Sequence, residues 1–175
     1  MSTHFKKSTT QESPDIMTSI RQTAREGRAP FGEQVLRVVC EHDDLQPVYA
    51  TSGAAAFDLK TAEDITLDWL ENPWQAVRTG LRMEIPDGYE LQIRPRSGLA
   101  CKGLIVMNSP GTIDSDYRGE LKVLVINLGL HSITIERGMR IAQMVICPVA
   151  QAEIAVVTEL DETERGSGGF GSTGV

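Results

Sequence analysis

From Gln34 onward the chain is a succession of short β-branched and aliphatic runs punctuated by glycine and proline, and this grammar constrains the fold most. "QVLRVVC" (34–40) opens it, and "TGLRMEIPDGYELQIRPR" (79–96) reads strand, Pro-Asp-Gly turn, strand. "GELKVLVINL" (119–128) is a longer extended run, apolar on both faces around Val123 to Ile126, as a strand covered on both sides should be. "SITIERGMRIAQMVICPV" (132–149) places two strands about an Arg-Gly turn, and "QAEIAVVTEL" (151–160) predicts one more. Many short strands with such breaks predict an all-β sandwich or barrel and not a βαβ fold. No internal repeat of useful period interrupts that reading.

The flanks differ. Residues 1–33 read as an N-terminal extension: "MSTHFKKSTTQESP" is polar and poor in apolar residues. Behind it, "DIMTSIRQTAREG" spaces Ile16, Ile20 and Ala24 for a short, weak helix, and Met17 is an alternative start. Residues 34–164 form the β domain, and 165–175, "RGSGGFGSTGV", have the composition of a flexible tail. Within the β domain, "DITLDWLENPWQAV" (64–77) holds both tryptophans, Trp69 and Trp74, around Pro73. Buried anchors for a loop or a subunit contact are the preferred reading; an exposed docking patch is the other.

A chain of 175 residues with 41% hydrophobic content can bury one core without staples. With aromatics at only 5%, that core must be built from Val, Ile, Leu and Met. A formal net charge of -7 argues against nucleic-acid binding, although a few arginines in a cleft can still make a local anion site. Cys40, Cys101 and Cys147 form no CxxC pair, and the three histidines form no zinc motif. No apolar run approaches membrane-spanning length and no secretory signal is apparent, so a reducing cytoplasm is the expected setting.

Four segments carry residues suited to chemistry. In "RPRSGLA" (94–100), Arg96, Ser97 and Gly98 offer a guanidinium, a hydroxyl and closely approachable backbone N–H groups, which suits a phosphate; an ordinary polar turn has the same composition. "MNSPGTIDSDYRGEL" (107–121) runs from a strand through a turn at Asn108 to Gly111. The Asn108 amide carries both donor and acceptor and can imitate a base-pairing edge, or it can serve the turn alone. Asp114 is a candidate general base toward water or a solvated carboxylate, and Tyr117 can pack on a sugar or fill the core. In "ERGMRIAQMVICP" (136–148), Arg140 and Gln143 stand three apart on a strand and face opposite sides unless a bulge intervenes. The tail lacks the GK[ST] ending of a P-loop.

Taken together and in order, these segments resemble the five motifs of the deoxyuridine triphosphatase (dUTPase) family. "SGAAAFDLKTA" (52–62) is similar to the first, "RPRSGLA" to the second, "NSPGTIDSDYRGEL" to the third, "RGMRIAQMVI" to the fourth and "RGSGGFGSTG" to the fifth. The resemblance spans roughly residues 53–174. It departs at Ala56, where the family usually has glycine, and in the longer, tryptophan-bearing segment between the first two motifs.

The resemblance implies an all-β, distorted jelly-roll (β-clip) barrel that assembles as a homotrimer with active sites at subunit interfaces. It implies hydrolysis of dUTP to dUMP and pyrophosphate with Mg²⁺ bound to the triphosphate. Asp114 and Gln143 would be the catalytic residues, Asp114 activating the attacking water and Gln143 meeting the triphosphate. Asn108 and Gly111 would read uracil, Tyr117 would exclude a ribose hydroxyl and Phe170 would stack on the base. Arg96, Ser97, Gly98 and Arg140 would hold the phosphates, joined by Arg165, Ser167, Ser172 and Thr173 of a closing tail. No protein group would ligate the metal directly, though Asp58 would act through a water. A dCTP deaminase, alone or bifunctional, and a regulatory binding protein on the same barrel are the alternatives.

Overall fold

The computed structural model describes residues 34–170, 172 and 174; the N-terminal extension lies outside the described residues, as does Thr173. Eleven strands run through the described residues: β1 (Arg37–Cys40), β2 (Phe57–Lys60), β3 (Ile65–Leu67), β4 (Trp74–Arg78), β5 (Leu81–Glu84), β6 (Tyr89–Arg94), β7 (Leu104–Val106), β8 (Gly111–Ile113), β9 (Lys122–Asn127), β10 (Ile133–Ile135) and β11 (Arg140–Pro148). A 3-10 turn at Asp43–Leu45 and a single helical turn, α1 (Ser97–Ala100), complete the elements. The all-β expectation holds.

All the strand pairs are antiparallel. They form a four-stranded sheet in the order β2-β11-β6-β8, a three-stranded sheet β4-β9-β7, and the pairs β1-β5 and β10-β3. Alternation in β2 puts Phe57 and Leu59 inside while Asp58 and Lys60 stay partly exposed. In β9, Val123 and Val125 are fully buried, while Leu124 and Ile126 are half-buried on the other face of the sheet. The core is aliphatic, with Leu59, Val77, Leu81, Leu91 and Met144 sealed from solvent. Each such side chain contributes about 1.5–3 kcal/mol by leaving water.

The buried polar groups are satisfied and serve as rivets. Asn127 donates to the carbonyls of Leu67 (3.2 Å) and His131 (2.8 Å) and accepts from Gly129 N–H at 2.9 Å. It thereby ties the β9–β10 loop to the end of β3. Gly103 lies opposite that loop with φ +89°, and a Cβ there would come within 2.7 Å of the Gly129 nitrogen. Both the backbone angle and the close approach require glycine.

Three sequence expectations change. "QAEIAVVTEL" forms no strand: residues 151–160 run irregularly and exposed, with Ile154 at 90% and Val156 at 95% exposure. Strand-forming composition becomes a strand only beside an available edge, and among the described residues the segment pairs with none. The tryptophan segment is not a loop with buried anchors, because it supplies β3 and β4, and Trp69 and Trp74 are 46% and 54% exposed. "RPRSGLA" is a helical turn where a simple turn was expected, with Leu99 N–H and Ala100 N–H both donating to the Arg96 carbonyl.

Candidate active site

The alternation rule separates Arg140 from Gln143, yet they share a face. Along the β2–β11 pair, Arg140 lies opposite Lys60, Ala142 opposite Leu59 and Gln143 opposite Asp58, so Ile141 is the extra residue of a bulge. Ile141 and Ala142 are accordingly both buried although adjacent. Asp58 and Lys60 are two apart on β2 and point the same way, so their partners Gln143 and Arg140 do too. On the other side of β11, Gln143 pairs with Arg94 of β6, giving a cross-strand row of Asp58, Gln143 and Arg94.

That row forms one wall of a cleft of about 630 Å³. Its lining includes Ala54, Ala55, Ala56, Asp58, Arg94, Arg96, Ser97, Gly98, Lys102 and Gln143. Asp58 organises the cationic side. One carboxylate oxygen meets Arg96 Nε at 2.8 Å and the other meets Arg140 Nη1 at 3.0 Å. Arg96 Nη1 also donates to the Arg140 carbonyl at 3.0 Å, and Gln143 Nε2 donates to the Pro95 carbonyl at 2.9 Å. The α1 segment is thus pinned to β11 from two sides. The first N–H groups of such a turn lack intrahelical partners, and Ser97 and Gly98, which carry them, are exposed at the cleft.

Sequence reasoning placed Arg96, Ser97, Gly98, Arg140 and Gln143 together, and the structure brings them together. It missed Arg94 and Lys102, which line the same cleft. The signal for Arg94 was its register opposite Gln143, which needs the strand pairing to be known. Ala56 sits in the wall without a left-handed backbone angle, since Phe170 is the one non-glycine residue with positive φ among the described residues. Alanine therefore fits there without backbone strain.

The connection from β7 to β8, which crosses from the three-stranded to the four-stranded sheet, carries the second group. Asn108 stands in the turn before the cis Ser109–Pro110 bond, and Gly111 backs onto it, a Cβ there falling 3.1 Å from Asn108 Nδ2. Asp114 follows β8 and its carbonyl accepts Tyr117 N–H at 3.2 Å. Asp114 lines a separate cleft of about 510 Å³ with Asp87, Glu90, Ser115 and Asp116. The two clefts share no lining residue. Within one chain, the candidate base and the cationic row are therefore apart.

Among the described residues, the hydrogen bonds of the tail are local. Arg165 Nε donates to the Gly168 carbonyl at 2.9 Å, and turns link Gly166 to Thr163 and Ser172 to Gly169. Ser167 is exposed within these turns, and Phe170 is fully exposed with φ +49°. Thr173 lies outside the described residues.

An antiparallel β architecture with an arginine-rich cleft and an amide-bearing turn between two sheets defines an all-β protein equipped to receive an anionic ligand. The comparisons with known proteins narrow this. The profile of the dUTPase family matches residues 45–174. A deoxyuridine 5'-triphosphate nucleotidohydrolase of Rhizobium johnstonii is 58% identical over 132 residues, 74% of this chain and 85% of that protein. One of Brucella melitensis is 58% identical over 131 residues, covering 73% and 83% respectively. Among solved structures, the dUTPase of Staphylococcus bacteriophage 80alpha with dUPNHPP superposes with a TM-score of 0.73 at 29% identity, covering 81% of this chain and 99% of that one. The chain belongs to the dUTPase family.

Proposed function

We propose that this chain hydrolyses dUTP to dUMP and pyrophosphate, keeping uracil out of DNA and supplying dUMP for thymidylate synthesis. Membership of the family supports the reaction, and the observation that carries the assignment of parts is the bulge at Ile141. It sets Arg140 and Gln143 on one face with Arg96, where a triphosphate would find guanidinium, amide and hydroxyl groups together. Arg96, Ser97, Gly98, Arg140 and Gln143 bind the phosphates in this reading. Asp114 takes the proton of the water that attacks the α-phosphorus; hydrogen-bond reach matters more to this role than an unusual pKa. Asn108, backed by Gly111, reads the uracil edge, and a mismatched base would leave polar groups unpaired. Tyr117 packs against C2′ and leaves no room for a ribose hydroxyl. The tail supplies Phe170 to the base and Arg165, Ser167, Ser172 and Thr173 to the phosphates.

These parts meet in a homotrimer. Three observations support it: the separate clefts of Asp114 and Arg96, the exposed apolar residues of 151–160, and the half-buried outer face of β9 beside exposed Trp74. Trp74 lies opposite Ile126 on that face, which gives the tryptophan segment the subunit-contact role.

Magnesium fits as a companion of the triphosphate and not as the occupant of a protein cage. The described residues hold no cluster of three possible ligands, and the single carboxylate lining the cationic cleft, Asp58, already engages two guanidinium groups. Mg²⁺ retains several waters and binds through phosphates, which suits that arrangement, with Asp58 within reach of one such water; when bound it would neutralise phosphate charge. The described residues include no helix long and apolar enough to cross a membrane, and the reaction is assigned to the cytoplasm.

Pyrophosphate release measured across dUTP, dTTP, dCTP and UTP with Mg²⁺ tests the function. Rapid release from dUTP alone is expected. Ammonia release from dCTP would replace the reading by a deaminase, and silence on all four would favour a regulatory binding protein.

A further inference from the structure

Tyr117 is held in place by backbone and ion-pair contacts that the reaction itself does not use. Its ring lies directly over Gly119: a Cβ at Gly119 would overlap the Tyr117 hydroxyl and stand 2.5 Å from Cζ. The hydroxyl donates to the Glu120 carbonyl at 2.9 Å. Tyr117 as a residue nevertheless remains 43% exposed, so it is anchored while still accessible.

Glu120 is itself clamped. Arg78 Nε meets both carboxylate oxygens at 3.1 Å, and Gly80 N–H donates to Oε1 at 3.0 Å. Arg78 in turn holds Glu41 at 2.6 Å, and its backbone N–H donates to Glu63 at 2.9 Å. The neighbouring Leu121 N–H donates to the Leu81 carbonyl and its own carbonyl accepts the Thr79 hydroxyl, at 2.8 and 2.7 Å. The stretch after Tyr117 is therefore fastened to the β4–β5 corner through both side chain and backbone.

We infer that Gly119 and Glu120, braced by Arg78, are positioning residues that set the plane of the Tyr117 ring and thereby the enzyme's preference for deoxyribose over ribose. The inference rests on the sugar-excluding role given to Tyr117 above. A ring that must reject one oxygen atom has to be fixed within a fraction of an ångström. Glycine at 119 is what lets the ring lie on the backbone. The carbonyl of Glu120 fixes the ring's tilt, and the carboxylate keeps that carbonyl from drifting.

The test compares kcat/KM for dUTP and UTP in the full chain, read by pyrophosphate release. Tyr117→Ala is expected to lower the dUTP-to-UTP ratio by about tenfold or more. Gly119→Ala and Glu120→Ala are each expected to lower it by about fivefold, with the larger part coming from gained UTP turnover. Glu120→Gln, which still accepts from Arg78 and Gly80, should recover most of the ratio. Combined with Tyr117→Ala, Gly119→Ala should add nothing further, a non-additivity that a general loss of structure would not produce. An unchanged ratio in Tyr117→Ala would bring down the sugar-excluding role, and this inference with it. A lowered ratio there, with unchanged ratios in folded Gly119→Ala and Glu120→Ala, would overturn this inference alone. Should neither variant fold, Tyr117→Phe decides, since it removes only the bond to the Glu120 carbonyl: a reduced ratio supports the inference and an unchanged one overturns it.

Discussion

Asp58 shows how one carboxylate can prepare a site for an anion. It bridges Arg96 and Arg140 with its two oxygens, so the guanidinium groups stand ready together where they would otherwise repel each other. Among the described residues Asp114 makes no such bridge, and its proposed role is tested by removing its basicity alone. Asp114→Asn should leave dUTP binding, followed by calorimetry, nearly intact while reducing turnover by at least about two orders of magnitude. Near-normal turnover would remove Asp114 from the chemistry. Gly103 is constrained by structure and not by reaction. Gly103→Ala should lower stability in urea by about 1–3 kcal/mol from the left-handed backbone angle alone, with a further cost from contact against Gly129. A stability unchanged within error would show that the two loops separate freely.

Among the elements, β11 does most to define the site. Its bulge was foreseen only as a condition, because Arg140 and Gln143 share a face only if the alternation breaks between them. Period-two patterning cannot reveal where a register slips, since that depends on which partner strand lies alongside. The helical turn α1 was equally hidden: a Ser-Gly-Leu-Ala sequence fits turn and helix alike, and the bonds to the Arg96 carbonyl settle it. The tail belongs at this scale too. The bonds seen for it run within residues 163–172, so deleting 165–175 should leave the thermal unfolding of the barrel unchanged. The same deletion should reduce dUTP hydrolysis by about a hundredfold or more, through loss of the proposed closure over the phosphates. Full activity without the tail would make it a linker.

For the whole molecule, the exposed segment 151–160 and the outer face of the three-stranded sheet both call for neighbours. Light scattering of the full chain is expected to give the mass of the proposed trimer, and removing residues 151–175 should shift it to smaller species; an unchanged mass would free the segment from any part in assembly. Acid stability also belongs to this scale. Burial raises the Glu120 carboxyl, but hydrogen bonds from Arg78 and Gly80 and the charges of Arg78 and Lys122 outweigh it and hold its pKa below the ordinary 4.5. Asp44, hydrogen-bonded by Arg137, and Asp68, capped by the N–H groups of Leu70 and Glu71, are lowered as well. A depressed carboxyl contributes stability in full above its unfolded value and loses it as pH falls through the folded one. Urea denaturation should therefore show a decline beginning below about pH 4.5 that is shallower in Glu120→Gln. Parallel pH profiles would show that the Arg78–Glu120 pair adds nothing to the folded state.

The sequence by itself determined the class of fold and the chemical identity of the residues proposed to face the phosphates. Strand periodicity, turn residues and motif order are local properties, written in neighbouring positions. Tertiary structure alone decided the Ile141 bulge, the recruitment of Arg94 and Lys102, the bridging by Asp58, the exposure of both tryptophans and the unpaired course of 151–160. Each of these depends on which distant segment lies alongside. Pairing is a relation between edges, and no single stretch of residues records both partners.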